Sequence, residues 1–480
     1  MNEAAYARHL LADLGSTATV TEVDRHPAIA WAESGAMALT GTAEGQAEIC
    51  PVPIASCAAG ALAALSALSG TRLPFDGAKL LGERAAIAGL RRQGSVSPGG
   101  SCRLLASADG WLALNLARDD DWAMLPAWLE DEIAPDWATL EIALRRHETA
   151  ALVDRGRLLG LALAPLALPP EPAPRWHRVL ATGPRADIPS PAPREREGPT
   201  QWEGEGSAAH DAAGRLRASP SSGSLRSPPS PAMQEKGLSA PLVIDLTTLW
   251  AGPLAGHLLG LLGARVIKVE SRTRPDGARQ GPAGFYDLLN AGKASVALDF
   301  ATQEGRAQLR ALIGAADIVL ESTRPRALEQ LGFDAAALVA ARPGLTWVSL
   351  TGYGRTPPQS GWVAFGDDAG VAAGLSALLP QSDGRPIFCA DAIADPLTGL
   401  HAALAAWHSY LDGQSRLIAL SLQEVAAHCC SLTPPADPAG WRAVLDEADI
   451  AAATPQARPA SGPARLLGAD TAEILAALPC

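Results

Sequence analysis

The sequence lacks most of the signatures that would assign its class at once. Its 480 residues hold seven cysteines, at 50, 57, 102, 389, 429, 430 and 480, an odd number with no CxxC pair. That pattern argues against a disulfide framework or a structural zinc site and fits a reducing compartment. No stretch reaches the roughly 18 uninterrupted apolar residues of a membrane span. The opening MNEAAYARHLLADLG has acidic residues and only a short apolar run, so it does not read as a secretory signal, and a cytoplasmic protein is expected. No long basic run offsets the formal net charge of −12, which leaves nucleic-acid binding without support. GxSxG, P-loop and HExxH motifs are missing. The nine histidines are scattered without metal-ligand spacing, and no metal is expected.

What is present is ample core material: 48% hydrophobic and 19% charged residues, the balance of a globular protein. The length suggests two or three domains. From 169 to 240 apolar periodicity gives way to Pro, Ser, Gly, Arg and Glu, including SPSSGSLRSPPSPAM. Such a segment buries too little surface to offset its chain entropy, so a disordered linker is expected there. It separates residues 1–168 from residues 241–480.

The C-terminal part alternates short apolar runs with helical spacing. PLVIDL (241–246), RVIKVE (265–270), ASVALDF (294–300), ADIVLES (316–322) and LTWVSLTG (345–352) read as buried strands, with helices after 250 and near 302–314 and 326–341. This rhythm predicts an α/β fold with a Rossmann-like, doubly wound parallel sheet, whose ligands bind beyond the carboxyl ends of the strands. A weak repeat crosses the linker. PVPIASCAAGALAALSAL (51–68) resembles PIFCADAIADPLTGLHAALAAW (386–407), pairing Gly60 with Gly399 and Ser56 with Asp395.

The ordered series LVIDLTTLWAGPLAGHLLGLLGARVIKVES, NAGKASVALDFATQEGRAQLRALIGAADIVLESTRPRALEQLGFD and LTWVSLTGYGRTPP resembles the class III CoA-transferases, the group of formyl-CoA and carnitine-CoA transferases. RPASGPARLLGADTAEILAAL looks like the tail of that family. On the N-terminal side, AESGAMALTG with 51–68, and RRQGSVSPGGSCRLLASADGW with the Trp-rich stretch after it, resemble the family's later portions, including its smaller α+β domain. The chain therefore resembles a rearranged or fused pair of degenerate copies that complement each other across the linker.

The resemblance implies transfer of CoA from an acyl-CoA to a carboxylic acid through an aspartyl anhydride and an aspartyl-CoA thioester, with acyl-CoA as substrate. It also implies a homodimer, or a pseudo-dimer within one chain. Gly366-Asp367-Asp368 stands where the family has Gly-Tyr-Asp, making Asp368 the first choice for the nucleophile and Asp367 the second; the other reading of the pair is a helix cap. For CoA the resemblance points to Ala251, Gly252 and Pro253 in the turn, Lys268 on the next strand, and Arg279, Ser322 and Arg324. Gly99-Gly100 matches the family's glycine loop, and an ordinary turn is the other reading. A racemase of α-methylacyl-CoA type and a catalytically silent CoA- or partner-binding homologue remain as alternatives.

Overall fold

The computed structural model describes residues 1–21, 25–186, 240–379 and 384–478, together with Pro231. Ten strands lie among them. β1 (Cys102–Ala106), β2 (Trp111–Asn115) and β3 (Ala162–Pro165) form a small antiparallel sheet. β4 (Arg178–Arg185), β5 (Leu242–Leu246), β6 (Arg265–Ser271), β7 (Ala294–Leu298), β8 (Ile318–Glu321), β9 (Thr346–Thr351) and β10 (Gln414–Ser421) form a larger one, in the order β4-β10-β9-β8-β5-β6-β7. Every pairing from β10 to β7 is parallel, and only β4 runs the other way. The five predicted strands of the C-terminal part all form.

Numbered along the chain, the six parallel strands lie in the order 3-2-1-4-5-6, so the winding reverses between β5 and β8. Helices cover both faces. Val243, Val266, Ile318, Val348 and Ile418 point into one core with helices Ala251–Leu261 and Ala394–Asp412. Their neighbours Ile244, Ile267, Val319, Trp347 and Leu417 point into another with helices Gln303–Ala315 and Ala335–Ala341. Burial on both faces is why these strands read as apolar runs and not as alternating patterns.

One boundary needs correction. The segment expected to be linker from 169 begins as ordered chain, because β4 pairs antiparallel with β10 at the sheet edge. β4 is mostly exposed, which removed the apolar signal a buried strand would have carried. The remainder of the expected linker lies outside the described residues, Pro231 apart.

The two sides of the chain share a core, which includes Tyr6, Trp31, Ile54 and Leu65 together with Leu254, Leu397 and Trp407. Helix Glu3–Asp13 packs on helix Ile54–Ser69 as helix Ala251–Leu261 packs on Ala394–Asp412, and the two longer helices also meet. Glycines set both close approaches. A Cβ at Gly60 would stand 2.6 Å from Glu3 O, and one at Gly399 would stand 2.6 Å from Ala251 O. The likeness extends to the partner helices. YARHLLADLG (6–15) matches LAGHLLGLLG (254–263) at Ala, His, Leu, Leu, Leu and Gly, a repeat the sequence reading overlooked. Among the described residues no helix is long and apolar enough to cross a membrane.

This packing predicts that Gly60→Ala and Gly399→Ala each cost about 1–3 kcal/mol in urea unfolding, since backbone oxygens block the new methyl group. Gly314→Ala, in a helix with open space around it, should be neutral or stabilising by up to about 1 kcal/mol.

Candidate active site

Asp367 and Asp368 lie in the first turn of helix Gly366–Ala372, which starts in the loop after β9. The small sheet sits against this helix, with Cys102, Leu104 and Ala113 packed on Val371 and Phe388. Asp368 is fully buried. Its Oδ1 accepts the Phe365 N–H at 2.9 Å, closing a cap on the helix, and the Tyr353 hydroxyl reaches Oδ2 at 3.4 Å. Asp367 is 6% exposed and accepts the Ala392 N–H at 2.8 Å. Gly366 permits the crossing. A Cβ there would lie 2.3 Å from both Ala392 O and Asp395 Oδ2.

Two further carboxylates and one guanidinium complete the group. Arg84 holds Asp391 with both arms, Nε to Oδ2 at 2.8 Å and Nη2 to Oδ1 at 2.5 Å. Asp391 is fully buried, and the residues flanking it, Ala390 and Ala392, have φ of 56° and 44°. Left-handed backbone at two alanines costs about 1 kcal/mol or more each. The loop accepts it, and Ala392 N–H and Asp391 are thereby aimed at Asp367 and Arg84. Asp395, one turn along in helix Ala394–Asp412, keeps partial access to solvent. The Gly99–Gly100 turn adjoins Arg84, with the ideal Cβ position of Gly99 3.1 Å from Arg84 Nη2.

Crowding of carboxylates sets their ionisation. Burial, aided by Asp391, pushes Asp367 up to about 6, against the pull of Arg84, the Ala392 N–H and the Ser97 hydroxyl. Burial, with Asp367 adding to it, pushes Asp368 up to about 8, against the Phe365 N–H and Asn115. Burial raises Asp395 to about 7 while Arg84 opposes it. Asp368 is thus raised further than Asp367, which has Arg84 to oppose its burial.

The CoA-site residues expected from the resemblance are not brought together. Lys268 is 1% exposed and spends its charge internally, on Asp276 at 2.9 Å and the Thr247 carbonyl at 2.8 Å. Arg279 is clamped by Glu270 at 2.6 and 2.9 Å and lies over the Tyr286 ring. Both charges are thus held in internal ion pairs in this structure. Ala251, Gly252 and Pro253 are buried, with no room for a Cβ at Gly252 beside Thr247. Ser322 accepts the Thr248 N–H at 3.2 Å, joining the loops after β5 and β8.

Arg324 is exposed and lines a cavity of about 680 Å³ with Arg157, Arg326, Gln330 and Trp362. Arg157 and Trp362 also border a cavity of about 520 Å³ with Tyr353 and Arg355. Asp367 and Asp368 line neither cavity, although Tyr353 links the smaller one to Asp368. Sequence reasoning missed Arg84 and Asp391. The four-residue spacing of Asp391 and Asp395 ahead of an apolar helix was a usable signal; Arg84 carried none.

A pH test follows from the raised acids. Asp368 binds its proton more tightly folded than unfolded, so its contribution to stability is complete below the ordinary carboxylate pKa and is lost as pH rises through about 8. Asp368→Asn abolishes that slope. Denaturant melts should show the variant gaining on the wild type by about 2 kcal/mol between about pH 6 and about pH 9.

The sequence model of CoA-transferase family III matches residues 238–457. Succinate–glutarate CoA-transferase of Agrobacterium fabrum is 32% identical over 205 residues, 39% of this chain and 51% of that protein. Formyl-CoA:oxalate CoA-transferase of Escherichia coli is 29% identical over 208 residues, 40% of this chain and 50% of that protein. The crystal structure of Rv3272 from M. tuberculosis aligns over 38% of this chain and 53% of that one, at 32% identity and a TM-score of 0.36. The chain spans about half the length of the curated relatives it matches. Residues 238–457, a little under half of the chain, are therefore similar to CoA-transferase family III.

Proposed function

We propose that the protein transfers CoA from an acyl-CoA to a small carboxylic acid, with Asp367 as the nucleophile. The observation that carries this reading is a carboxylate at the seam of the two sides of the chain, buried but not sealed, that accepts the Ala392 N–H at 2.8 Å. A nucleophilic carboxylate has to be charged yet shielded, since free water would hydrolyse an anhydride. Asp368, first choice on sequence alone, is less suited: it is sealed, raised further in pKa, and occupied in capping its own helix.

In the proposed cycle Asp367 attacks the thioester carbonyl, giving an aspartyl-acyl anhydride and CoA thiolate. The thiolate attacks the aspartyl carbonyl, releasing the donor acid and leaving an aspartyl-CoA thioester. The acceptor carboxylate attacks that thioester and expels the thiolate again. The thiolate then attacks the acceptor's carbonyl in the new anhydride, forming the product acyl-CoA and restoring Asp367. Arg84 and the Ala392 N–H keep Asp367 anionic between turnovers and tune its ionisation near neutrality, where nucleophile and leaving group are balanced. The arginines 157, 324 and 326 around the outer cavities suit the phosphates of CoA. The Rossmann-like reading of the sheet rests on its 3-2-1-4-5-6 order, whose switch point lies at the Thr248–Ser322 contact. The N-terminal part, which supplies Arg84, Ser97 and Asn115, takes the place of a second subunit.

The strongest influences on these acids are burial, carboxylates, Arg84 and backbone N–H groups, with no imidazole among them, which gives a proton-exchanging isomerase less support. Incorporation of a labelled free carboxylic acid into its own acyl-CoA tests the reading. Asp367→Ala should lose exchange by a factor of about 10³ or more, and Asp368→Asn by less than about tenfold. Exchange undiminished in the Asp367→Ala/Asp368→Ala double variant would remove both acids from the chemistry.

A further inference from the structure

Histidines that are far apart in sequence meet on the helix Glu3–Asp13. His9 and Asp13 stand one turn apart on its surface, and His9 Nε2 lies 3.6 Å from Asp13 Oδ2. Helix Leu422–Ser431 places His428 against them, its ring stacked on that of His9 at a centroid separation of 5.3 Å. One donor atom from each of the three residues lies within 4.8 Å of the others.

The hydrogen bonding around these rings is one-sided. His428 Nδ1 sits 2.7 Å from the Pro174 carbonyl, which can only accept, so Nδ1 bears the proton and Nε2 the lone pair. His428 is 4% exposed, yet its Nε2 makes no hydrogen bond. His9 Nε2 is also buried and also makes none. Buried polar atoms left in this state are uncommon. Asp13 Oδ2, the oxygen that faces His9, also accepts Trp176 Nε1 at 3.2 Å, which orients the carboxylate. A carbonyl that sets the tautomer of an imidazole, and a donor that orients a carboxylate, are the usual supports of metal ligands.

We propose that His9, Asp13 and His428 bind one divalent cation of the zinc class, with water from the exposed side of Asp13 in the fourth position. Two imidazoles and one carboxylate suit Zn²⁺, Co²⁺ or Ni²⁺ and do not suit Mg²⁺ or Ca²⁺, which take oxygen ligands. Bonds of about 2.1 Å in a tetrahedron set donors roughly 3.4 Å apart, so the pair on the first helix is already close to spacing. The internal repeat sharpens the assignment. His257 stands where His9 does, but Leu261 stands where Asp13 does, so the family-matched copy has no chelating pair. An ion here ties the N-terminal helix to the C-terminal part of the chain.

The test uses the full, untagged chain stripped by a chelator. Zn²⁺ titrated against a chromogenic indicator should bind at one equivalent, and Zn²⁺ should raise the melting temperature. His9→Gln and Asp13→Asn, both at partly exposed positions, should weaken binding by about tenfold or more and abolish the melting shift while circular dichroism stays unchanged. Co²⁺ should give the visible band of a tetrahedral site in the wild type only, and Mg²⁺ or Ca²⁺ should not displace it. No stoichiometric ion, or binding and melting shift identical in the His9→Gln/Asp13→Asn double variant, overturns the proposal.

Discussion

The two-pronged ion pair between Arg84 and Asp391 is the constraint on which the site depends. The partners are 307 residues apart and come from opposite sides of the expected linker. Without the guanidinium, Asp391 would be a buried carboxylate without its ion-pair partner, among the costliest arrangements in a protein. With it, one positive charge acts on three acids, Asp391, Asp367 and Asp395. Burial raises Asp367, Asp395 and Asp368, and Arg84 opposes it at the first two, which stand at about 6 and about 7 against about 8 for Asp368. The strained alanines on either side of Asp391 belong to the same device, because the turn that presents Asp391 to Arg84 also presents the Ala392 N–H to Asp367.

The pair can form only because the two sides of the chain are packed as one body. Two glycines, 60 and 399, let the helix pairs close to backbone contact, and a continuous core runs from Tyr6 to Trp407. The duplicated helix pair gives the chain an internal near-symmetry, and its two copies have diverged in what they carry. The second holds Asp395 at the position where the first holds Ser56, a buried hydroxyl without a hydrogen bond. The first holds Asp13 one turn beyond its histidine, where the second is apolar.

Much of the C-terminal architecture was legible in the sequence, because strands buried on both faces announce themselves as apolar runs and Pro253 marks the start of a helix. The mostly exposed strand β4 gave no such run and was taken into the linker. At the candidate site, Asp367 and Asp368 stand out in the sequence through their glycine neighbour and their place in the series of motifs. Which of the two turns back to cap the helix and which accepts the Ala392 N–H is not legible there, since both contacts depend on the fold. Arg84 and the His9–His428 contact were invisible for a common reason: their partners lie hundreds of residues away, and neither spacing nor periodicity reports contacts of that kind. Lys268 and Arg279 show the converse, charges that look available in a sequence and are consumed by Asp276 and Glu270 in the fold.

The most direct test of a nucleophilic carboxylate at this seam is to trap it. The protein is incubated with an acyl-CoA and quenched with hydroxylamine, and its peptides are mapped by mass. A hydroxamate on Asp367 is the predicted result. An unlabelled 366–368 peptide, with the hydroxamate on Asp395 or nowhere, would contradict the account.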